Sequence, residues 1–414
     1  MRIGVVTEYF DRTGSTPTVL HDLLTHLRGL HPDLTFDVIA SRNQYRGDEF
    51  LPRHESSDGV EVTRLSTPKS NRPSTVSRLG AGFVFTMAAF AELMRQQRHD
   101  VLLVVTNPPS LAMAVSGVRL LRGTPYVYLI HDLYPDVANV LGVLSKSSTP
   151  SLLLHRFQKR WLRSAARVIV LGRCMRDYIR DNYAVPPGKV DVIPNWADSE
   201  QIVPSQESRF RKANALTGVT VLYSGNFGLH QDFDVILDAA TILQQKNPAV
   251  VFVLAGKGAQ QEHIERRIAE ESIRNVRLFP LVDQKDYSDL LAAADIGLVT
   301  LTRGAEGIGV PSKFYNILAS GRPTVAVVAS NSEVALVLRE SDSGLQVDTG
   351  DAHGLAAAIE LLADDPIKRA QLGRNAREVL VRNYTLDQIG ERFYASLSAA
   401  ARFNSNRLST DQKR

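Results

Sequence analysis

Apolar strand-length runs, glycine-containing turns and helical patterns alternate along the whole chain, in units of about 30 residues. Such units form right-handed βαβ crossovers, which place neighbouring strands parallel. The sequence therefore predicts an α/β fold with parallel sheets. The predicted strands are 2–7, 36–40, 60–65, 101–105, 126–130, 167–171, 190–194, 219–224, 250–255, 276–278, 295–301 and 324–328. The predicted helices include 19–30, 76–97, 150–165, 173–183, 233–245, 286–293, 332–340, 351–363, 367–382 and 386–401.

The length of the chain, 414 residues, favours two domains of about 200 residues each over a single core. A polar, proline-bearing stretch after residue 198 is the predicted linker. We place the first domain at 1–198 and the second at 199–384. A last helix is predicted at 385–402, and the polar, charged tail 403–414 is predicted to be disordered.

The composition is that of a soluble globular protein, with 44% hydrophobic and 22% charged residues. The single cysteine, Cys174, excludes a disulfide framework and fits a reducing compartment. The first ten residues read as a strand and lack the features of a secretion signal. The ten histidines show no metal-ligand spacing. We therefore expect a cytoplasmic protein without a bound metal.

Two helical stretches bear on membrane contact. The longest apolar run, 79–94, is shorter than the ~20 residues that cross a bilayer and is interpreted as a buried or interface helix. The helix at 150–165 gathers apolar side chains such as Leu153 and Phe157 on one face, with basic residues mostly elsewhere. Such a helix packs its apolar face on a protein core or lies on an anionic membrane. The core-facing arrangement is the commoner one.

Positive charge is concentrated in the N-terminal half. Residues 1–200 contain 24 Lys and Arg against 19 Asp and Glu, although the whole chain carries only +4. This asymmetry suggests an anionic acceptor or a membrane surface, and a functionless unevenness is the alternative. We expect no nucleic acid partner.

Residues 303–323, RGAEGIGVPSKFYNILASGRP, combine a glycine loop with a helix start after a predicted strand. Pro311 and Ser312 are predicted to open the helix. Backbone N–H groups and the helix dipole attract anions at such a start. Glu306 can accept hydrogen bonds from sugar hydroxyl groups, and Lys313 can face a diphosphate. An ordinary βα loop of a Rossmann-like domain is the alternative interpretation.

This segment resembles the donor-binding segment of family 4 glycosyltransferases, which are retaining enzymes of the GT-B fold. In that family an acidic residue precedes G-x-G-x-P, and here Glu306 precedes Gly307, Gly309 and Pro311. A second glutamate of the family corresponds to Asn316, whose amide can still bond ribose hydroxyl groups. The segment resembles the branch of fucosyl- and N-acetylfucosaminyl-type transferases that make colanic acid and O-antigen.

The resemblance implies two Rossmann-like domains facing a central cleft, with an N-terminal acceptor domain, a C-terminal donor domain and a last helix that crosses back to the first domain. It implies a nucleotide-sugar donor, transfer with retention, and no cofactor or metal requirement. The implied acceptor is a saccharide linked to a polyprenyl diphosphate at the inner membrane face. A hinge is expected near 195–199.

Glycines also follow other predicted strands. Gly225 with Asn226 follows the first strand of the second domain, and Gly256 and Gly258 follow the next strand. Such turns bring backbone N–H groups to phosphates. Gly14 follows the first strand of the chain, and the resemblance places its loop beside the cleft.

The predicted diphosphate site departs from the pattern of the family. The family usually has an arginine and a lysine where this chain has Asn226 and Gln231. We predict that Lys313 and Arg303 supply the positive charge instead. The D-x-D sequence at 232–234 falls at a helix start, where carboxylates favour the dipole, and we do not interpret it as a metal site.

His131 follows a predicted buried strand, at the sheet edge where α/β proteins bind ligands. In the resembled family this histidine lies near the donor sugar. The Pro-Asp pair at 135–136 and the Leu-Gly pair at 141–142 are typical of the branch. A helix cap or a core histidine is the alternative interpretation.

The resemblance thus assigns His131 and Glu306 as catalytic residues, and Leu281 and Val282 as backbone contacts to the base. The complete set of predicted donor-binding residues is Gly14, Gly225, Asn226, Gly256, Gly258, Leu281, Val282, Arg303, Gly307, Gly309, Pro311, Ser312, Lys313 and Asn316. Two other functions stay open: a nucleotide-sugar epimerase on the same fold, and a non-catalytic nucleotide- or dinucleotide-binding module. The G-x-G-x-x-G fingerprint of Rossmann dehydrogenases does not follow the first strand.

Overall fold

The computed structural model describes residues 1–12, 15–45, 47–57, 59–69 and 75–411, without the side chains of 15, 16, 75, 76 and 403–411. The chain forms two compact units. We call Met1–Ile193 with Leu386–Arg414 the N-terminal unit, and Pro194–Thr385 the C-terminal unit.

The N-terminal unit is built on one sheet. Up to residue 193 its helices and strands are, in order, β1 (Arg2–Val6), α1 (Ser15–Leu30), β2 (Thr35–Ser41), β3 (His54–Ser57), β4 (Val60–Leu65), α2 (Thr75–Arg95), β5 (Val101–Val105), α3 (Leu111–Arg122), β6 (Tyr126–Ile130), α4 (Asp136–Val140), α5 (Thr149–Ser164), β7 (Arg167–Val170), α6 (Arg173–Tyr183) and β8 (Val190–Val192). The sheet order is β3-β4-β2-β1-β5-β6-β7-β8. Neighbouring strands are parallel except β3 and β4, which are antiparallel.

The C-terminal unit is built on a fully parallel sheet. Its elements are α7 (Arg209–Ala213), β9 (Val219–Asn226), α8 (Phe233–Lys246), β10 (Val250–Lys257), α9 (Gln261–Glu270), β11 (Val276–Phe279), α10 (Gln284–Ala292), β12 (Ile296–Thr300), α11 (Lys313–Ala319), β13 (Thr324–Val327), α12 (Glu333–Ser341), β14 (Gly344–Val347), α13 (Ala352–Asp364) and α14 (Pro366–Asn383). The order is β11-β10-β9-β12-β13-β14. The last helix, α15 (Leu386–Asp411), belongs to the N-terminal unit.

The central strands are continuously apolar in sequence. Every residue of β5 (VLLVV), β6 (YVYLI) and β12 (IGLVT) is buried. Parallel sheets need such strands because crossover helices cover both of their faces. The predicted α/β class with parallel sheets is confirmed.

In each sheet the strand order reverses beside one central strand. β1 lies between β2 and β5, and β9 lies between β10 and β12. The loops that leave such a strand pair diverge to opposite faces, and the crevice between them is where open α/β sheets bind ligands. The segment from β12 to α11, which carries Glu306, borders this point of the C-terminal unit.

Two strands lie where no strand is predicted. β3 falls in a stretch for which no helix or strand is predicted, and its four residues, HESS, are all exposed. It is held by backbone pairing with β4. β14, GLQV, buries only Val347. Neither strand has the apolar pattern on which the prediction depends.

Helices α1 and α15 differ most from prediction at their ends. α1 begins at Ser15, before the predicted start at Val19, because Pro17 is tolerated in a first turn. α15 continues to Asp411 instead of ending at residue 402, since no glycine or proline interrupts 402–411. Residues 412–414 of the predicted disordered tail lie outside the described residues.

Helix α5 exposes the apolar side chains that the pattern assigns to a core. Gln158 and Leu162 are buried, whereas Leu153 is 51% and Phe157 43% exposed. The core-facing interpretation therefore holds for Leu162 and is wrong for Leu153 and Phe157. The inward position is taken by Gln158, whose amide donates to the buried hydroxyl of Tyr128 at 3.4 Å, so the apolar residues beside it face outward.

Candidate active site

Glycines let the turns after β9 and β10 lie against each other. Gly225 has a φ of +129°, a conformation that favours glycine. A Cβ on Gly256 would collide with the carbonyl oxygen of Gly225, and a Cβ on Gly258 with that of Phe227. The Phe227 N–H donates to the Lys257 carbonyl at 3.0 Å. The packing of the two turns requires these glycines, and their contact with a donor stays a prediction.

An aromatic cluster supports the turn after β9. The rings of Tyr223 and Phe233 are 4.9 Å apart, and those of Phe227 and Phe233 are 5.0 Å apart, both edge to face. Such pairs contribute about 0.5–1.5 kcal/mol each beyond their burial. The Tyr223 hydroxyl also donates to the carbonyl of Asn226 at 2.7 Å. Aromatic packing and a hydrogen bond therefore stabilise the end of β9, where Gly225 and Asn226 lie.

Lys313 places its ammonium group beside this turn. Its Nζ lies 3.5 Å from the centroid of the Tyr223 ring and 3.5 Å from Oε1 of Gln231. A Cβ built on Gly225 would lie 3.6 Å from the same nitrogen. Lys313 thus brings positive charge next to Gln231, one of the two positions where the resembled family carries a cation.

The ammonium group lacks a charged counterpart among these contacts. An amide oxygen and an aromatic ring are uncharged, and Lys313 is partly buried. Loss of solvation holds the pKa of Lys313 well below its ordinary value of 10.5. Burial, and then the charge of Lys313, lowers the pKa of the neighbouring His230. An anionic ligand would stabilise the charged form of this lysine.

Glu306 lies in the loop between β12 and α11. Its Oε2 accepts a hydrogen bond from the Gly304 N–H at 2.8 Å. Gly304 and Gly307 turn the loop with φ values of +86° and +83°. Glu306 and Gly309 are partly buried, and Arg303 is exposed. The Glu306 carboxylate is therefore fixed at one oxygen and open to a ligand.

Helix α11 begins at Lys313, two residues later than predicted. Ser312 is the N-cap residue, and its side chain forms no capping hydrogen bond. The N–H groups of Phe314 and Tyr315 donate to the carbonyls of Pro311 and Ser312 at 3.2 and 3.1 Å. This tight first turn engages N–H groups that the predicted anion site would otherwise use. The helix start is thus a weaker anion site than the sequence predicts.

A tyrosine that the sequence does not single out links Asn316 to the end of β9. The Tyr287 hydroxyl lies 3.0 Å from Ser224 Oγ and 3.5 Å from Asn316 Nδ2. Tyr287 is on α10, directly after the loop that carries Leu281 and Val282. No spacing rule relates these side chains because they come from three different βα units.

The carboxylates of the D-x-D sequence have protein partners. Asp232 accepts a hydrogen bond from the Val235 N–H at 3.2 Å and caps α8. Asp234 forms an ion pair with Arg267 at 2.9 Å and a hydrogen bond with His263 at 2.7 Å. Helix capping and ion pairing account for this sequence.

His131 follows β6 in the N-terminal unit. Its backbone N–H and that of Asp132 donate to Thr106 Oγ1 at 3.3 and 3.4 Å, so one hydroxyl ties the ends of β5 and β6 together. The ring is partly buried, and loss of solvation lowers the pKa of His131 to about 4. The imidazole is therefore neutral at neutral pH. Gly14, predicted for the neighbouring loop, lies outside the described residues.

Asp136 of the Pro-Asp pair supports this region from inside. Its carboxylate is buried and accepts hydrogen bonds from the Tyr178 hydroxyl at 2.6 Å and from the Tyr183 hydroxyl. These bonds attach α4 to α6. The Pro-Asp pair, which the resemblance associates with the branch, thus holds two helices together beside His131.

Comparison with known proteins extends these observations. The model of the glycosyl transferase 4-like domain matches residues 14–196, and that of glycosyl transferases group 1 matches 204–379. WbjE of Pseudomonas aeruginosa, named as a probable glycosyltransferase, is 31% identical over 80% of this chain and 82% of its own. WcaI of Escherichia coli K12, whose name is putative colanic acid biosynthesis glycosyl transferase, is 28% identical over 68% of this chain and 70% of its own.

Solved structures share the fold over nearly the full length. Sucrose-phosphate synthase from Thermosynechococcus elongatus superposes with a TM-score of 0.77 at 17% identity, covering 96% of this chain and 99% of that chain. HepE of Anabaena, solved in complex with UDP, gives a TM-score of 0.72 at 16% identity, covering 96% and 100%.

The fold and the two matched domains define a GT-B glycosyltransferase. The chain belongs to glycosyltransferase family 4, in the group that includes enzymes of bacterial polysaccharide biosynthesis. The predicted family, fold and enzyme class are confirmed.

Proposed function

We propose that the protein transfers a sugar from a nucleoside-diphosphate sugar to a saccharide carried on a polyprenyl diphosphate, with retention at the anomeric carbon, in the synthesis of a bacterial surface polysaccharide. The C-terminal unit binds the donor. The observation that carries this proposal is the ammonium group of Lys313, which lies beside the strand-end turn at Gly225 with uncharged protein partners.

Each residue then has a defined part. Departure of the nucleoside diphosphate builds negative charge on phosphate, and Lys313 stabilises that charge from a preorganised position. Glu306, held at one oxygen by Gly304, accepts hydrogen bonds from sugar hydroxyl groups. Asn316, which donates to Tyr287, faces the ribose. The neutral imidazole of His131 is assigned to the sugar on the family resemblance.

We further propose that transfer requires neither a metal ion nor an organic cofactor. Lys313 supplies positive charge at the diphosphate, and Asp232 and Asp234 are engaged in the cap of α8, an ion pair and a hydrogen bond. A direct test is the rate of transfer in the presence of a chelator, which should equal the rate without it.

The donor class is tested by thermal unfolding with UDP-, GDP-, ADP- and dTDP-sugars and with NAD. A ligand that binds the folded state alone raises the melting temperature, and saturation at about 100 Kd adds about 2.7 kcal/mol. We expect one nucleotide-sugar to raise the melting temperature of the wild type by several degrees, and the rise to be smaller in Glu306→Ala. Stabilisation by NAD alone, or by no nucleotide-sugar, would contradict the proposed function.

Contact with the membrane would bring the enzyme to a lipid-linked acceptor. No helix within the described residues is long and apolar enough to cross a bilayer. On α2, however, Leu79, Phe83 and Met87 recur every fourth residue and are 64%, 50% and 45% exposed. On α5, exposed leucines and Phe157 stand among exposed arginines such as Arg160.

These side chains form a membrane surface in our proposal. Both helices pack against α3, and both begin at the sheet edge that carries His131. Exposed apolar side chains enter the interface while arginines meet anionic headgroups. The protein would therefore lie on the cytoplasmic face of the membrane.

Flotation with vesicles of anionic phospholipid measures this association. We expect the wild type to float with anionic vesicles, and Leu153→Ser/Phe157→Ser to lose at least tenfold in partitioning, because each buried apolar side chain contributes about 1.5–3 kcal/mol. Leu361→Ser removes a leucine that is 45% exposed on α13 of the other unit and should bind like wild type. Equal flotation of all three proteins would argue against the surface.

A further inference from the structure

A cavity of about 770 Å³ lies in the C-terminal unit, away from the candidate active site. It is lined by Asp295 and residues 321–323, which precede β12 and β13, by the segment around Pro204, and by one face of α14. It therefore opens at the amino ends of the strands, whereas the candidate active site lies at their carboxyl ends. A cavity of this size suits a small molecule.

Arginine dominates the charged lining. The acidic lining residues, Asp295 and Glu378, already have partners: Asp295 pairs with Arg211 at 2.9 Å, and Glu378 pairs with Arg382. The arginines of the lining are Arg322, Arg369, Arg374, Arg377 and Arg382.

The first four of these arginines form no ion pair with a carboxylate within the described part of the chain. Arg322 donates to the Ala292 carbonyl at 3.0 Å. Arg377 donates to the carbonyls of Ile202 and Ala319, both at 2.8 Å. Carbonyl oxygens satisfy hydrogen bonds but do not neutralise a guanidinium charge.

Burial makes this uncompensated charge unfavourable. The Nε of Arg322 is buried and has no hydrogen-bond partner within the described structure. Loss of solvation lowers the pKa of both Arg322 and Arg377. For Arg322 the charge of Asp295, which is paired with Arg211, opposes this shift in part, and the charges of Arg211 and Arg369 add to it. The cavity thus concentrates positive charge that an anion would balance.

We propose that this cavity binds a phosphorylated small molecule at a regulatory site separate from the donor site. Guanidinium groups donate paired hydrogen bonds to phosphate, and Arg374 and Arg369 supply them at the cavity wall. Arg377 joins α14 to the carbonyls of Ser199 and Ile202, in the segment through which the chain enters the C-terminal unit. The ligand fastens this segment to α14.

Calorimetric titration with inorganic phosphate, at an ionic strength held constant with chloride, tests the site. We expect wild-type protein to bind phosphate and Arg369→Gln/Arg374→Gln to bind at least tenfold more weakly, because charged hydrogen bonds contribute about 1.5–3 kcal/mol each. Arg339→Gln, which removes an exposed arginine bonded to the Ser330 carbonyl outside the cavity, should bind like wild type. Hydrogen exchange of the amides at 199–206 should slow when phosphate binds.

Two further variants distinguish the possible outcomes of this experiment. Lys313→Met separates the sites: it should leave phosphate binding at the cavity unchanged, and a loss of binding there would assign the phosphate to the donor site. If the double variant does not fold, Arg374→Gln alone suffices, since within the described residues this exposed side chain bonds only to the side chain of Gln371. No phosphate binding by the wild type, or equal binding by Arg374→Gln, would overturn the proposal.

Discussion

Replacing Lys313 by methionine is expected to weaken binding of the nucleotide-sugar donor by about tenfold to a hundredfold, because a hydrogen bond to a charged group contributes about 1.5–3 kcal/mol. Methionine keeps the apolar stem that packs beside the Tyr223 ring and removes only the ammonium group. The protein without ligand should therefore melt at or above the wild-type temperature, since a desolvated charge is removed. Calorimetric titration with the donor and thermal unfolding without it give the two readouts.

The pH dependence of donor binding supplies an independent check. A lowered pKa means that Lys313 loses its proton at a lower pH than a free lysine, whereas a bound diphosphate favours the protonated form. Donor affinity should therefore fall as pH rises through the lowered pKa, at a pH below the range in which a free lysine loses its proton. In Lys313→Met this fall should be absent.

A matched control is Lys212→Met, which removes an exposed lysine on α7, 3.8 Å from Glu207. It should bind the donor like wild type at every pH. Identical donor affinity of Lys313→Met and wild type would show that another group neutralises the diphosphate, and the exposed Arg303 would be the next candidate.

Glu306→Gln is expected to lower kcat by about a hundredfold to a thousandfold with little change in donor affinity. The amide keeps an oxygen for the Gly304 N–H, so the loop should retain its conformation. It loses the negative charge that holds the sugar hydroxyl groups as positive charge develops at the anomeric carbon. Release of nucleoside diphosphate from the donor, with and without acceptor, measures the effect.

The control for this prediction is Glu265→Gln, an exposed carboxylate on α9 that is bonded to Gln261. It should keep full activity. A Glu306→Gln enzyme with a wild-type kcat and a raised KM would instead mean that the carboxylate contributes equally to ground-state and transition-state binding. That result would remove Glu306 from the catalytic residues and leave it as a donor contact.

The structure agrees with the sequence most closely where local information suffices. β4, β5, β6 and α6 begin and end at the predicted residues. The apolar runs of β5 and β6, the alternating pattern of β4 and the glycine before α6 are all features of neighbouring residues. The polar strand β3 carries no such signal, since it depends on pairing with β4 alone.

Side-chain orientation is harder to read than element boundaries. The apolar residues of α5 follow a core-facing pattern. In the structure, however, Gln158 points into the core and bonds to Tyr128, and several of these apolar side chains are exposed. Tyr287 cannot be identified as a site residue from the sequence, for a similar reason. Its partners Ser224 and Asn316 are 63 and 29 residues away in the chain.

By itself, the sequence determines the α/β class, the position of most strands and the loop that carries Glu306, because each depends on a run of neighbouring residues. Only the tertiary structure decides that Lys313 meets Gln231, 82 residues away, and that Arg322 and Arg377 share one cavity. Parallel crossovers bring Lys313 and Gln231 together at the carboxyl ends of the strands, and they bring Arg322 and Arg377 together at the amino ends. Their pKa shifts depend on burial, which is a property of the folded chain alone.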